Sequence, residues 1–379
     1  MTAPTTETTG PAPFDPARPL MGVEEEYVVV DPATRAAAPR AREVVRRAAG
    51  ALGERTNTEI TLFQVEAKTD PHAGVAGLEE DLRRMREAVA AAAHEEGLAV
   101  VASGTPVLGD VVPPPIIDGA RYRVGIENYR ALHDEQSICA GHVHVHLPDR
   151  ERAVLVGNHL RPWLPVLIAL MANSPFWAGR DTGYASWRTL CWTKWPVAGP
   201  PPYFASLEEY ERLTGALAEA GVLVDPGTIF WDVRPSARLP TIEVRVTDVP
   251  ATAAETALLA MVVRGLVVTA LERVERGDPG PEPSAELLRA AYWQSARDGL
   301  DGHGIDPLTG VRRPARDLAD ALLRHVTPAL EETGDLAEVT ARLKVLYAAG
   351  TGAARQWAAH ARRGRTEDVV DHLVAQLLA

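Results

Sequence analysis

Acidic and imidazole side chains recur at every second position in four short stretches of this chain. Residues 22–31 read Gly-Val-Glu-Glu-Glu-Tyr-Val-Val-Val-Asp, and residues 61–70 read Thr-Leu-Phe-Gln-Val-Glu-Ala-Lys-Thr-Asp. Residues 141–148 read Gly-His-Val-His-Val-His-Leu-Pro, and residues 241–248 read Thr-Ile-Glu-Val-Arg-Val-Thr-Asp. Alternation of this kind predicts strands, whose successive side chains point to opposite faces. One face then carries Glu24, Glu26 and Val28; Gln64, Glu66 and Lys68; His142, His144 and His146; Glu243 and Arg245. The other carries Val23, Glu25, Tyr27 and Val29; Phe63, Val65 and Ala67; Val143, Val145 and Leu147; Ile242, Val244 and Val246. Taken singly, each pattern has an ordinary explanation: a glutamate run is a solvated edge, and Glu-x-Arg on a strand is a cross-strand ion pair. Taken as neighbours in one sheet, the four strands gather Glu24, Glu26, Glu66, Glu243, His142 and His144. Carboxylates at such range raise one another's pKa, and a divalent cation relieves the repulsion. Carboxylate oxygens suit Mg²⁺ or Mn²⁺, and Mg²⁺ commonly joins protein carboxylates to substrate phosphates.

The chain has no Gly-x-x-x-x-Gly-Lys-Ser/Thr loop and no Gly-x-Gly-x-x-Gly after a strand, which argues against P-loop and Rossmann nucleotide sites. A bound nucleotide would have to be held by metal and arginines. Two segments offer them. Residues 173–188 (Asn-Ser-Pro-Phe-Trp-Ala-Gly-Arg-Asp-Thr-Gly-Tyr-Ala-Ser-Trp-Arg) read as a loop that sets Arg180 and Arg188 near Asp181 and Tyr184. Residues 231–245 (Trp-Asp-Val-Arg-Pro-Ser-Ala-Arg-Leu-Pro-Thr-Ile-Glu-Val-Arg) bring Arg234, Arg238 and Arg245. Guanidinium groups bind carboxylate and phosphate in bidentate fashion, although surface ion pairing is the ordinary use of an arginine. Trp177, Trp187, Trp192, Trp195 and Trp231 are expected in the core or the wall of a cleft.

The positioning elements are mixed. Helical periodicity is clear at about 78–96, 252–275, 316–331, 335–348 and 366–378. With no strict βαβ rhythm, the expectation is α+β with a largely antiparallel sheet. Residues 1–19 are Thr/Pro/Ala-rich and unpatterned, which reads as a disordered tail before one domain spanning 20–379. The opening residues show neither the basic nor the apolar region of a secretory signal. The longest apolar runs, near 164–172 and 257–271, are interrupted by Pro165 and Arg264 and fall short of the roughly 20 residues of a membrane span. Two cysteines among 379 residues exclude a disulfide framework and fit a reducing cytosol. A formal net charge of −12 disfavours a nucleic-acid partner. A cytoplasmic protein without a membrane partner is expected, and its apolar helices permit a homo-oligomer.

At these residues the chain resembles a known family. Gly-Val-Glu-Glu-Glu-Tyr at 22–27, Gln-Val-Glu at 64–66, Gly-His-Val-His-Val at 141–145, the block 173–186, Trp-Asp-Val-Arg-Pro-Ser at 231–236 and Glu-Val-Arg at 243–245 occur in the order seen in carboxylate–amine ligases of the glutamate–cysteine ligase type 2 family. The resemblance runs from about residue 20 to 360. It implies a fold like the catalytic domain of glutamine synthetase, a curved, mainly antiparallel sheet forming a funnel with helices outside. It implies ATP as co-substrate with Mg²⁺, or Mn²⁺, and small-molecule carboxylate and amine partners. ATP phosphorylates a carboxylate, commonly the γ-carboxylate of glutamate, and an amine such as that of cysteine displaces phosphate to leave an amide. The resemblance places metal ligands at Glu24, Glu26, Glu66, His142 and Glu243, and a phosphate-contacting arginine at Arg245. Arg234 and Arg188 are inferred to meet the substrate carboxylate. Gln64, Arg180, Tyr184, Trp231, Asp232 and His144 are expected to line the substrate and ATP sites, with Asp232 and His144 as the candidate bases for the amine.

His146 departs from the pattern, which has a small residue there. A third imidazole would favour Zn²⁺ or Mn²⁺ or reshape the acceptor pocket; otherwise it lies beyond the cleft rim. Two other readings stay open at this point: a metal-dependent hydrolase built on His142, His144 and His146, and a non-catalytic descendant that binds ATP or glutamate.

Overall fold

The computed structural model describes residues 14–379. Its strands, in chain order, are β1 (Met21–Val30), β2 (Thr56–Thr58), β3 (Gln64–Lys68), β4 (Ala99–Val101), β5 (Ala140–His146), β6 (Phe176–Trp177), β7 (Arg180–Asp181), β8 (Ala198–Gly199), β9 (Phe230–Trp231), β10 (Val233–Pro235), β11 (Thr241–Asp248), β12 (His303–Ile305) and β13 (Arg312–Pro314). Seven of them form one sheet in the order β10-β11-β5-β1-β3-β2, with β4 also pairing β1. Every pairing in it is antiparallel. The four stretches read as strands from alternation are β1, β3, β5 and β11, and they lie side by side in the order β11-β5-β1-β3.

One face of this sheet is sealed by helices. Val23, Tyr27, Val143, Val145, Ile242 and Val244 are each at most 2% exposed and share a core with Leu78, Leu82 and Met85 of the helix Val75–Glu95 and Leu259, Val263 and Leu266 of the helix Ala253–Glu275. Burying a Val or Leu side chain contributes about 1.5–3 kcal/mol, so the apolar half of each alternation sets which face turns inward. The same core reaches from Met21 to Leu377.

Glu25 is the exception on that inner face. It is 0% exposed, and its carboxylate accepts from Arg86 Nε at 3.0 Å and Nη2 at 2.5 Å. The hydroxyls of Tyr27 and Thr256 donate to it at 2.5 Å each. Arg86 also donates to the carbonyls of Pro250, Ala251 and Leu377. The middle glutamate of the run therefore ties β1 to two helices and the chain end, while its neighbours face the other way.

Thr252 and Glu255 form a reciprocal capping box at the start of Ala253–Glu275. That helix and the stretch Arg150–Leu170 are longer than the apolar runs expected from sequence, and by length and composition both would pass for membrane spans. Pro165 does not end its helix because it sits in the first turn, where no backbone N–H is needed. Arg264 is accommodated by Asp335 and by the carbonyl of Ala73. The apolar window of Arg150–Leu170 is 89% buried inside the fold and that of Ala253–Glu275 is 83% buried. Helices also form at Ala41–Leu52, Ala120–Tyr129, Leu207–Glu219, Ala285–Asp298 and Gly352–Ala361; the first buries Ala41, Val44, Ala48 and Leu52 along one face, a helical spacing that the sequence reading passed over. Of the segment expected to be an unpatterned tail, residues 1–13 lie outside the described residues. Within residues 14–19, Phe14 packs edge-on against His146 and Arg18 donates to the carbonyl of Glu332.

Candidate active site

Pairing register decides which functional side chains meet. Glu24 lies opposite His142, and Glu243 opposite His144. Glu26 lies opposite Glu66, Glu24 opposite Lys68, and Arg234 opposite Glu243. All of these face away from the helical core into one cleft of about 590 Å³. The cleft is lined by ten of the fourteen residues expected as metal ligands or as substrate and phosphate contacts, among them Gln64, Arg188 and Arg245.

The acidic end holds a carboxylate that sequence reading passed over. Glu59, in the β2–β3 turn, joins Glu26 and Glu66, and each offers a ligand atom within 4.8 Å of the others. The hairpin register brings it there: Asn57 pairs with Glu66, and the Glu59 N–H donates to the carbonyl of Gln64. Alternation within residues 61–70 could not reveal a residue from the turn before them. Burial, with the neighbouring Glu66 charge, pushes Glu26 up to about 7. Burial, with the charge of Glu26, pushes Glu59 up to about 7 as well, and Glu66 is also raised by burial, Glu59 and Glu24. Three hard oxygen donors that resist simultaneous ionisation are a donor set that fits Mg²⁺ or Mn²⁺. His142 Nε2 is buried without a hydrogen-bond partner and stands 3.9 Å from Glu26 Oε1.

The other two glutamates are held in the opposite sense. Glu24 Oε2 meets His142 Nδ1 at 3.2 Å, Glu24 Oε1 meets Lys68 Nζ at 3.2 Å, and His144 Nε2 stands 3.6 Å away. Burial alone would raise Glu24, but the hydrogen bonds from His142 and His144 outweigh it and keep it well below the carboxylate range. Glu243 is likewise driven down against its burial by Arg234 and Arg245. The histidines differ: burial and the Arg245 charge bring His142 to about 4, whereas Glu24 and Glu243 hold His144 above its usual value despite burial. His142 is thus neutral, as a metal ligand must be.

The basic end of the cleft is built on aromatic faces. Arg234 Nε donates to Glu243 Oε2 at 3.0 Å, and Arg245 Nη1 to Glu243 Oε1 at 3.2 Å. The Arg245 guanidinium lies 5.1 Å from the ring centre of Trp192 and 5.9 Å from that of Phe230. Arg188 is anchored by the carbonyls of Arg245 and Val246. The Nε atoms of Arg188 and Arg245 are buried with no partner. Arg188 is set in place by Asp248, whose carboxylate accepts from the Asn173 N–H, Ser174 Oγ and Ser186 Oγ at 2.7 Å each; Ser174 Oγ in turn accepts from the Arg188 N–H. Arg121 and Arg238 also reach the cleft.

Four expected contacts lie outside its lining. Arg180 is exposed on the β6–β7 hairpin and stacks on Trp187, with its guanidinium carbon 5.6 Å from the ring centre. The Tyr184 hydroxyl accepts from Trp293 Nε1 at 3.2 Å. Trp231 packs against Phe204 and Tyr210 in a separate small core. Asp232 is buried behind Trp192, whose Nε1 donates to it at 3.2 Å, and burial lifts its carboxyl to about 6. The segment 173–188 is not one loop: it folds as the β6–β7 hairpin followed by the start of the helix Trp187–Trp192. His146 does not line the cleft; it is the last residue of β5 and meets Phe14.

Comparison with known proteins agrees with this architecture. The profile of glutamate-cysteine ligase family 2 matches residues 20–372. A Nocardia farcinica protein provisionally named glutamate–cysteine ligase 2-1 is 47% identical over 370 residues, covering 95% of this chain and 92% of its own. Among solved structures, the glutamate–cysteine ligase of Francisella tularensis in complex with AMP superposes with a TM-score of 0.70 at 12% identity, covering 96% of this chain and 89% of that one. A bifunctional glutathione synthetase from Pasteurella multocida gives 0.71 at 14% identity, covering 96% of this chain and 52% of that one. The shared fold is the expected α+β arrangement around a mainly antiparallel sheet. With its ordered motifs, a profile match over nearly its whole length and a relative at 47% identity, the chain belongs to glutamate-cysteine ligase family 2.

Proposed function

We propose that this protein is an ATP-dependent carboxylate–amine ligase that forms an amide through an acyl phosphate, with glutamate as donor and cysteine or another small amine as acceptor. The observation that carries the reading is the division of one cleft into an acidic end, Glu26, Glu59 and Glu66, and a basic end, Arg188, Arg234 and Arg245. A phosphorylated substrate needs both: cation ligands for the phosphates, and guanidinium groups for carboxylate and phosphoryl oxygens.

Glu26, Glu59 and Glu66 would hold a Mg²⁺ or Mn²⁺ ion, with His142 at its edge. Such an ion supplies neutralisation of the triphosphate and of the charge that develops as the phosphoryl group transfers. Arg245, fixed by Glu243 and Trp192 and with a buried unpartnered Nε, is oriented to stabilise charge on the transferring group without reorganising. Arg188 and Arg234 orient the donor carboxylate. Trp192 and Phe230 form the aromatic wall against which Arg245 is held. Of the two residues that sequence offers as bases for the amine, only His144 borders the cleft. The hydrolase reading loses support because His146, the third member of its histidine stripe, does not line the cleft.

The test is release of ADP and phosphate from ATP with Mg²⁺ and L-glutamate, scanned over an amine panel that includes cysteine. The reading expects amine-stimulated release and a product whose mass is the dehydrated sum of the two substrates. Nucleotide binding without amine-stimulated release would favour the non-catalytic reading instead.

A further inference from the structure

Lys68 occupies a position that matters for how many ions the acidic end can hold. It lies directly opposite Glu24 in the β1–β3 register, beside the Glu26–Glu66 pair. Its Nζ is 3.2 Å from Glu24 Oε1 and 2.9 Å from Glu66 Oε2. An ion bridging these two carboxylates would need the space the ammonium already fills. The other contacts of Glu24 go to His142 Nδ1 at 3.2 Å and His144 Nε2 at 3.6 Å, so this carboxylate is satisfied by the protein itself. Glu26 and Glu59 have less support: the Ala140 N–H donates to Glu26 Oε2 at 2.8 Å. Among the described residues neither has a lysine or arginine within ion-pairing distance, yet their ligand atoms and that of Glu66 lie within 4.8 Å of one another. The buried, unpartnered Nε2 of His142 stands 3.9 Å from Glu26 Oε1.

We propose that Lys68 is a tethered cation standing in for a second metal ion between Glu24 and Glu66, so that the nucleotide-free protein holds one divalent ion, at Glu26, Glu59 and Glu66. The proposal rests on the ligase reading for the presence of an ion in the cleft. Lysine suits the role because its ammonium is a compact point charge on a flexible stem.

The experiment is a Mn²⁺ titration of the full chain without nucleotide, with the electron paramagnetic resonance signal of free Mn²⁺ counting bound ions independently of turnover. The parent and Lys68→Arg should bind one ion, Lys68→Met should bind two, and Glu59→Gln should bind none tightly. Circular dichroism and thermal melting establish that each variant is folded, and Lys68→Gln replaces Lys68→Met if the latter is not. Two ions in the parent, none in the parent, or a single ion in a folded Lys68→Met protein would each overturn the proposal. An enzyme with amine-stimulated phosphate release but two ions in the parent leaves the ligase reading standing and removes the role of Lys68. One ion in the parent, two in Lys68→Met and no amine-stimulated release with any partner would do the reverse.

Discussion

Glu26→Gln should stabilise the metal-free protein while crippling its response to divalent cations. Glu26 is 8% exposed, and burial together with the Glu66 charge lifts its carboxyl from 4.5 to about 7, even though the Ala140 N–H donates to it at 2.8 Å. In the unfolded chain the same group ionises near its ordinary value. Between these two values the native state keeps a proton that the unfolded state has released, so stability falls as pH rises from about 4.5 to about 7 and then levels off. The displacement corresponds to about 3 kcal/mol once both states are ionised, at about pH 8. Glu59 acts in the same direction over the same window. Glutamine keeps the volume and removes the charge. The metal-free variant should therefore melt above its parent at about pH 8 and close to it at about pH 4.5. A bound cation stabilises the ionised cluster, so Mg²⁺ or Mn²⁺ should raise the parent's melting temperature far more at about pH 8 than at about pH 4.5, and the variant should lose most of that gain. Calorimetry across this range, with chelator and with added cation, measures all four quantities. Equal pH slopes for parent and variant, or an undiminished cation response in the variant, would refute the reasoning.

Glu25→Gln should behave in the opposite way, losing about 3–5 kcal/mol of stability at neutral pH because Arg86 is left buried without its counter-ion; an unchanged midpoint in denaturant unfolding would remove Glu25 from the scaffold. Arg245→Ala should lower amine-stimulated phosphate release by about 10²–10³ in kcat, the usual effect of deleting a group that stabilises developing charge. A hydrolase built on the histidines would barely notice that change, so rates near those of the parent would count against the ligase assignment. In Gly104→Ala the added Cβ would meet Asp248 Cγ at 2.7 Å and Ser174 Cβ at 2.9 Å, pushing on the hub that positions Arg188. A loss of about 1–3 kcal/mol is expected from such overpacking, together with reduced turnover, and a parental melting temperature would show that the hub gives way freely.

The acidic face was legible because its signal is local. Strand alternation has a period of two, so the separation of Glu24 and Glu26 from Val23 and Tyr27 follows from the sequence once β1 is recognised. The same holds for His142 and His144 on β5 and for Glu66 on β3. Several helices, Ala41–Leu52 among them, were passed over although their apolar spacing is helical, and the Pro165 and Arg264 interruptions looked more disruptive than they are. A proline is harmless in a first helical turn, and a buried arginine is tolerated where Asp335 meets it. Arg180, Tyr184, Trp231 and Asp232 sit in motifs rich in functional residue types, but sequence proximity to Arg188 or Arg234 says nothing about which wall a side chain faces.

The chain's own alternation of apolar and ionisable residues determined the strands, the face each side chain takes and the chemistry that face can support. Its ordered motifs determined the family. Only the tertiary structure decided how the strands align, because register depends on partners far apart in the chain. It brought in Glu59 from the β2–β3 turn, set Lys68 between Glu24 and Glu66, and left His146 at the end of β5, outside the cleft lining. It also separated three consecutive glutamates into two roles: Glu24 and Glu26 facing a cleft of opposed charges, and Glu25 closed into the core against an arginine 61 residues away.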